Sequence, residues 1–335
     1  MELTLTQKRV LVALNAYPNH TDRQLADVVK IKRSTVTAAR HFLQENKLYE
    51  TYLFPNIQQF PVPLIILKYG DYGKLIPVNY QQRMKLLTPY LKIEENVFSL
   101  SSEFKGLSMI FAQQLYPLKE KLDGWNQSIQ QIDSSIPIND LYLPLPMISD
   151  YKFMDVQRRL ATLLGTEPLE NKRKKMPHRK TLSSKEKMVL KQWFKQPRQT
   201  NEEISRTVDV SRAVIGSIKE RLIQYGVVQI HNLPNWSAFG LELGVLLYVR
   251  SGQDSILQEL AALSPIIFVI GSRYEGLLFA VFKNYQEYQM TLVPVLQRCK
   301  AAKKFIREPE ELLFPLAETR FMIDAAPFVE KVLSS

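Results

Sequence analysis

An internal repeat covers most of the chain and constrains its fold more than any other feature. When the sequence is shifted by 179 positions, its first part lies on the second without a gap, so that Pro18, for example, falls on Pro197. The match resumes with an offset of 170, where FSLSSEFKGL from Phe98 lies on FVIGSRYEGL from Phe268. A looser echo relates residues 151–154 (YKFM) to residues 319–322 (TRFM). The repeat predicts two copies of one unit of roughly 155 residues, which is an ordinary domain size.

Basic residues are concentrated between the two copies. The 335 residues carry a net charge of +11, and the stretch 171–195 holds ten basic residues against one acid, Glu186. Its core, KRKKMPHRK from Lys172 to Lys180, is typical of a solvated linker. Such a run can hold two domains apart, lie along nucleic-acid phosphates or act as a nuclear-import signal, and the run alone does not decide between them.

Several classes of protein are disfavoured by what the sequence lacks. The single cysteine, Cys299, cannot form an intrachain disulfide or a multi-thiolate zinc site, which favours a reducing cytosol. No apolar run approaches the ~20 residues of a membrane helix, and no signal peptide is visible at the start. Motifs for nucleotide, dinucleotide or metal binding are absent from the sequence. We therefore expect a cytoplasmic, nucleoid-associated protein with no cofactor, no metal and no membrane partner.

Each copy begins with three predicted helices in a pattern typical of DNA readers. The second helix starts at a capping box, at Thr21 in one copy and Thr200 in the other. In the third helix Val36, Ala39 and Leu43 share a buried face, which turns basic and hydroxyl side chains outward. Helical hairpins that only pack are the alternative. The predicted DNA contacts are Lys32, Arg33, Ser34, Thr35, Thr37, Arg40 and His41 in the first copy, Ser211, Arg212, Ser217, Lys219 and Arg221 in the second, and Lys172, Arg173, Lys174 and Lys175 in the linker.

The predicted fold class is α+β, as two tandem copies of a winged helix-turn-helix followed by a ferredoxin-like βαββαβ domain. Strands after each third helix supply the wing. In the α/β part we expect helices at 80–90, 253–263 and 286–302, and a positive φ at the turn glycines Gly106 and Gly276. The predicted boundaries are 1–60 and 182–238 for the winged helix-turn-helix domains, 61–160 and 239–335 for the α/β domains, and 161–181 for the basic linker.

These motifs resemble the Lrp/AsnC family of feast/famine transcription regulators. The resemblance rests on VDVSRAVIGSIKERLIQYGVVQ, LPNWSAFGLELGVLLYV and GSRYEGLLFAVF in the second copy and is fainter in the first. It implies an archaeal or bacterial regulator that dimerises through its α/β domains and binds an amino acid-like effector near a strand turn. The main prediction is therefore a sequence-specific regulator of double-stranded DNA with two readers per chain, as an intrachain pseudo-dimer or a homodimer.

The strand turn where that family binds effectors differs between the copies. The residues concerned are Glu103, Lys105, Arg273, Tyr274 and Glu275. By the offset of 170, Glu103 aligns with Arg273 and Lys105 with Glu275, so the charges are reversed. The reversal favours pairing of the two α/β domains within one chain, or it reflects drift of exposed residues.

An enzyme of the same architecture is the first alternative. The siroheme decarboxylases of the haem pathway also occur as paired or fused copies, and their chemistry would want His and Arg side chains in an α/β pocket. The four histidines, His20, His41, His178 and His231, all fall in predicted helical, wing or linker segments. We therefore predict no enzyme activity and no catalytic residue. A protein-interaction scaffold with vestigial DNA readers is the second alternative.

Overall fold

The computed structural model describes residues 2–73, 93–102, 105–169, 179–253 and 256–334. Its α-helices are α1 Leu5–Ala16, α2 Asp22–Val29, α3 Arg33–Glu45, α4 Leu115–Gln130, α5 Gln157–Leu164, α6 Ser184–Lys195, α7 Asn201–Val208, α8 Arg212–Gln224, α9 Ile256–Ala261, α10 Tyr285–Thr291, α11 Val293–Ala301 and α12 Ala326–Ser334. Its strands are β1 Tyr49–Pro55, β2 Leu64–Asp71, β3 Asn96–Ser101, β4 Lys105–Ala112, β5 Ile138–Pro144, β6 Ile148–Lys152, β7 Val228–Pro234, β8 Leu243–Arg250, β9 Ile266–Ser272, β10 Glu275–Phe282, β11 Glu310–Pro315 and β12 Arg320–Ile323. The helix predicted at 80–90 lies outside the described residues.

Contacts divide the chain into two compact units that do not follow chain order. Unit 1 consists of Met1–Tyr52, Met147–Arg173 and Ile230–Thr319, and unit 2 of Leu53–Pro146, Lys174–Gln229 and Arg320–Ser335. Each unit thus combines the helical segment of one copy with most of the sheet of the other. The domain boundaries expected from the sequence run along the chain and stay a prediction.

The sheet of unit 1 is antiparallel, with the order β11-β8-β10-β9-β6. Its apolar face packs on α9, α10 and α11, where Val245, Leu260 and Val269 belong to one buried cluster. The single helix expected at 286–302 is two helices, α10 and α11. Pro294 lies in the first turn of α11, where its missing N–H costs no hydrogen bond, and it would break a continuous helix.

The helical part of unit 1 follows the predicted pattern. The capping box at Thr21 is present at the start of α2, and Val36, Ala39 and Leu43 are buried in α3 as expected. α1 contacts α2 and α3, and it also packs on α5, which follows β6 in the chain. The helix α5 therefore joins this helical part, while β6 joins the edge of the sheet in the same unit.

Unit 2 is built in the same way from the other segments. Its antiparallel sheet has the order β12-β3-β4-β2-β5, and α4 covers it through Leu118, Leu122 and Ile129. The helices α6, α7 and α8 pack on one another, and α12 packs on α6. The capping box at Thr200 is present at the start of α7.

The strands expected to form wings, β1 and β7, pair with each other in a two-stranded sheet. In unit 1 the Asn235 N–H donates to the Leu48 carbonyl. In unit 2 the Asn56 N–H donates to the Val227 carbonyl. Corresponding strands of the two copies thus satisfy each other's backbone groups. None of the helices in the described ranges is long and apolar enough to cross a bilayer.

Candidate functional site

The predicted reader of the first copy lies on the outer face of α3. Lys32, Arg33, Ser34 and Thr35 are exposed there. Two further predicted DNA contacts, Thr37 and Arg40, bind other residues of the protein instead. The hydroxyl of Thr37 donates to Oδ2 of Asp22 at 2.7 Å, and Nε of Arg40 lies 2.7 Å from Oδ1 of the same carboxylate. Arg40 also donates to the His20 carbonyl, and Nδ1 of His41 lies 3.1 Å from Glu45. Thr37 and Arg40 therefore hold α3 against α2.

The predicted reader of the second copy shows the same mixture. Ser211, Arg212 and Ser217 are exposed on α8, whereas Nε of Arg221 lies 3.3 Å from Glu186. Nζ of Lys219 lies 4.9 Å from the centre of the Trp193 ring, and burial lowers the pKa of its ammonium. Lys172, Arg173, Lys174 and Lys175 lie outside the described residues.

The reversed charges at the strand turn have partners on the neighbouring strand. In unit 1, Glu275 is paired across the sheet with Arg250, and its Oε2 lies 3.9 Å from Nε of Arg250. In unit 2, Lys105 is paired across the sheet with Asp71 at 3.7 Å. Each sheet therefore compensates its own turn charge. Arg273 and Tyr274 are exposed, Arg273 lies over the Tyr274 ring, and Glu103 is outside the described residues.

A cleft of about 930 Å³ opens in unit 1 between β6, the start of α5 and the end of α9. We call it the β6 cleft. It is lined by polar side chains of the β6–α5 segment and by small or apolar residues such as Ala261, Ala262 and Val269. The polar side chains of that segment include Asp150, Tyr151, Lys152, Asp155, Gln157 and Arg158. None of these was predicted as a site residue, because they are far in sequence from α9.

Lys152 holds one wall of the β6 cleft in place. Its Nζ donates to the Ile266 carbonyl at 2.6 Å and, more weakly, to the Ala261 carbonyl at 3.5 Å. Ala261 ends α9, and the last carbonyls of a helix have no partner within it. A cation there also complements the negative end of the helix dipole. Lys152 therefore fixes α9 against β6 and β9.

Glycines allow α9 to approach the sheet closely. Gly106 and Gly276 were expected to adopt a positive φ, but neither is among the described residues with positive φ, and Gly276 lies in β10 opposite Gly271. A Cβ on Gly276 would come within 2.9 Å of the Leu257 side chain, and one on Gly271 within 2.6 Å. The absence of a side chain serves close packing at these two positions, not turn geometry.

A buried ion pair fixes the orientation of α5. Arg159 is 2% exposed, and its guanidinium donates to both oxygens of Glu287, at 2.8 and 2.6 Å. Burial raises the pKa of Glu287, but hydrogen bonds from Arg159 and the Lys283 N–H outweigh it and hold that pKa below its ordinary value. Because neighbouring residues of a helix point about 100° apart, Arg158 is turned away from this pair and lines the β6 cleft.

One histidine lies beneath the strand that borders the cleft. His231 in β7 packs edge-on against Phe153, with ring centres 5.1 Å apart, and Phe153 directly follows Lys152. Burial lowers the pKa of His231 to about 4, so the imidazole is neutral at pH 7. The sequence places this residue in a wing segment, and its contact with the α/β part was missed.

The β6 cleft can bind an anion and exchange a proton. Arg158 supplies a cation, Asp150 and Asp155 supply carboxylates, and Tyr151 supplies a phenol whose pKa is raised by burial. In the described part of the chain, no group of three or more His, Cys, Asp or Glu side chains could hold a metal ion. The echo between residues 151–154 and 319–322 was the one sequence signal near this site.

No protein-family model and no curated protein matches this sequence. Among solved structures, siroheme decarboxylase NirDL is similar over 98% of both chains, with a TM-score of 0.53 and 11% identity. Its co-complex with an iron-uroporphyrin III analogue gives a TM-score of 0.51 at 10% identity, over 98% of this chain and 99% of that one. AsnC of E. coli matches 40% of this chain and 93% of its own, with a TM-score of 0.32 and 14% identity. At these identities, the similarity to NirDL shows a shared fold.

The full-length match overturns two predictions. The chain was expected to be a DNA-binding transcription regulator and not an enzyme, yet NirDL, whose fold extends across both copies, is an enzyme. Two of the side chains chosen as readers, Arg40 and Arg221, pair with carboxylates of the protein itself. The helical pattern was interpreted correctly as local structure, but packing between helices accounts for part of its polar face.

Proposed function

We propose that this protein is an enzyme of the siroheme-decarboxylase type, which removes CO₂ from a carboxylate-bearing side chain of an iron tetrapyrrole. The observation that carries the proposal is the match to NirDL over 98% of both chains, across both copies of the repeat.

The β6 cleft supports this function by its size and its lining. Binding clefts for small molecules and cofactors usually measure about 300–1,000 Å³ and combine apolar walls with a few polar groups. The β6 cleft, at about 930 Å³, has room for a macrocycle and carries both kinds of lining. The bound iron belongs to the substrate in this proposal.

Decarboxylation requires two functional groups from the protein, a cation and an acid. The bond between the side-chain carbon and its carboxylate breaks, CO₂ leaves, and the carbon that keeps the electron pair takes up a proton. A cation must orient the carboxylate, and a neutral acid must return the proton. In the β6 cleft the proton would come from the Tyr151 phenol, which burial keeps protonated at neutral pH.

We also infer that each unit combines a winged helix-turn-helix with a ferredoxin-like domain. The orders β11-β8-β10-β9 and β3-β4-β2-β5 place the first and third strands of each βαββαβ element in the centre of its sheet, as that arrangement requires. The effector site at the strand turn and the pseudo-dimer stay predictions.

The proposed function is tested by incubating the purified full-length chain anaerobically with siroheme. We expect the absorbance spectrum to shift, mass spectrometry to show products lighter by successive losses of CO₂, and heat-denatured protein to give neither. Siroheme recovered unchanged, from a chain that is folded and binds it, would contradict the proposal.

A further inference from the structure

We infer that Arg158 binds a carboxylate of the substrate, and that the described part of the duplicated chain has one such site, in unit 1. This inference rests on the proposed function and goes beyond it, because it assigns a residue to substrate recognition and sets the number of sites. It is carried by the difference between the first turns of α5 and α12, which close equivalent ends of the two copies.

The backbone of Arg158 is held on two sides. On one side Arg159 is locked to Glu287 by two hydrogen bonds. On the other, the Ser264 hydroxyl lies 2.9 Å from the Thr162 hydroxyl and 3.5 Å from the Arg158 carbonyl. A side chain on such a fixed turn loses less freedom when it binds a ligand, which favours tight recognition.

The guanidinium of Arg158 is not committed within the fold. It is exposed on the wall of the β6 cleft, and none of the described residues lies within ion-pair distance of it. By contrast, both terminal nitrogens of its neighbour Arg159 donate to Glu287. A planar guanidinium can hold both oxygens of a carboxylate at once, which gives orientation as well as affinity. Arg158 is therefore the cation of the cleft that is available to the substrate.

The equivalent strand in unit 2 has no cation at the place of Lys152. β6 pairs with β9 so that Lys152 faces Val269, and β12 pairs with β3 so that Met322 faces Ser99. The repeat offset of 170 equates Val269 with Ser99, so Met322 occupies the place of Lys152. The sequence echo, which aligned Lys152 with Arg320, is displaced by two residues in the structure.

The first turn of α12, the helix that follows β12, also has no cation. The first turn of α5 is Gln-Arg-Arg, whereas that of α12 is Ala-Pro-Phe. Phe328 is fully buried and packs edge-on against Phe111, with ring centres 5.4 Å apart. A displacement of one or two residues in this alignment would not bring a cation to the position of Arg158. Unit 2 therefore lacks the carboxylate-binding turn.

The test is an absorbance titration of the full-length chain with iron uroporphyrin III as the probe. We expect one equivalent to bind per chain. Arg158→Ala should weaken binding about 10- to 100-fold, which is the usual loss for one charge-assisted contact, and Arg158→Lys should recover part of it. Arg320→Ala is the matched control in unit 2 and should bind like the wild type. A urea unfolding curve for each variant shows whether it is folded.

The results separate this inference from the proposed function. Two equivalents per chain, no binding of the probe, or equal affinity in folded wild-type and Arg158→Ala proteins would overturn the inference. Turnover of siroheme by Arg158→Ala with an unchanged KM would do the same and leave the enzyme assignment standing. Binding of one equivalent that depends on Arg158, without any turnover of siroheme, would support the inference and contradict the proposed reaction.

Discussion

The ends of the two copies, β6 with α5 in unit 1 and β12 with α12 in unit 2, show how a duplicated fold position can change its chemistry. Both strands add to the edge of an antiparallel sheet, and both are followed by a short helix. One end lines a polar cleft with Lys152 and Arg158, while the other presents Met322 and buries Phe328. Backbone pairing keeps the architecture, so the side chains can diverge.

The strand turns of the two units carry equivalent ion pairs with their charges exchanged. The pair Asp71–Lys105 in unit 2 and the pair Arg250–Glu275 in unit 1 have opposite signs at equivalent places. A direct cross-strand pair is favourable whichever strand carries the positive charge. A charge that is compensated locally therefore says little about function. Arg158, whose charge has no such partner among the described residues, is the more informative cation.

The largest effect on stability should come from Arg159→Met. The change leaves Glu287 partly buried without its two donors, and removal of one member of a buried pair typically costs about 3 kcal/mol or more. Urea unfolding should show this loss. The neighbouring Arg158→Met variant is the control and should stay within about 0.5 kcal/mol of the wild type. Equal effects of the two changes would refute the distinction between a structural and an available arginine.

A pH dependence should follow from His231. Its pKa in the folded chain, about 4, lies below the ordinary 6.5, so the folded state resists protonation. This contribution is fully present above pH 6.5 and is lost as the pH falls towards and through 4, by an amount on the order of 1–3 kcal/mol. Comparison of unfolding free energies at pH 7 and pH 4.5 should show a smaller decrease in His231→Phe. Parallel pH profiles would mean that the imidazole is not shielded from protonation.

Exchange of one side chain between the units gives a smaller effect. Lys152→Met introduces the residue that unit 2 carries and removes the donor to the Ile266 carbonyl, at a cost of about 1–2 kcal/mol. Met322→Lys, the reverse exchange in unit 2, should not create a second site for iron uroporphyrin, because α12 lacks the arginine. Unfolding curves measure the stability of Lys152→Met, and probe titrations count the binding sites of Met322→Lys. A second equivalent of iron uroporphyrin bound by Met322→Lys would contradict the proposed difference between the two units.

The smallest effect is expected at the strand turns. Glu275→Lys places two cations side by side and should cost about 0.5 kcal/mol, whereas the double change Arg250→Asp with Glu275→Lys copies unit 2 and should restore most of it. Sedimentation of both variants tests whether the turn charges also govern pairing of the α/β domains. Unchanged sedimentation would mean that the turn charges stabilise only their own sheet and do not govern pairing of the α/β domains.

Patterns with a short period could be predicted from the sequence. The buried face of α3, the capping boxes of α2 and α7 and most strands of the second copy follow from spacing within one element. The break between α10 and α11 was missed because an amphipathic pattern runs through it, although Pro294 marked it.

Contacts between distant segments could not be predicted. β6 pairs with β9, more than a hundred residues away, through backbone groups that every sequence carries. The β6 cleft depends on that pairing, and so does the contact between His231 and Phe153. The polar face of α3 was misleading for a related reason, because a surface arginine and one that pairs with Asp22 look alike in a sequence.

The most direct test is a crystal structure of the full-length chain with an iron-uroporphyrin III analogue. We expect one macrocycle per chain, in the β6 cleft, with a carboxylate on the guanidinium of Arg158 and none at the equivalent end of unit 2. A macrocycle bound elsewhere, or one in each unit, would contradict it.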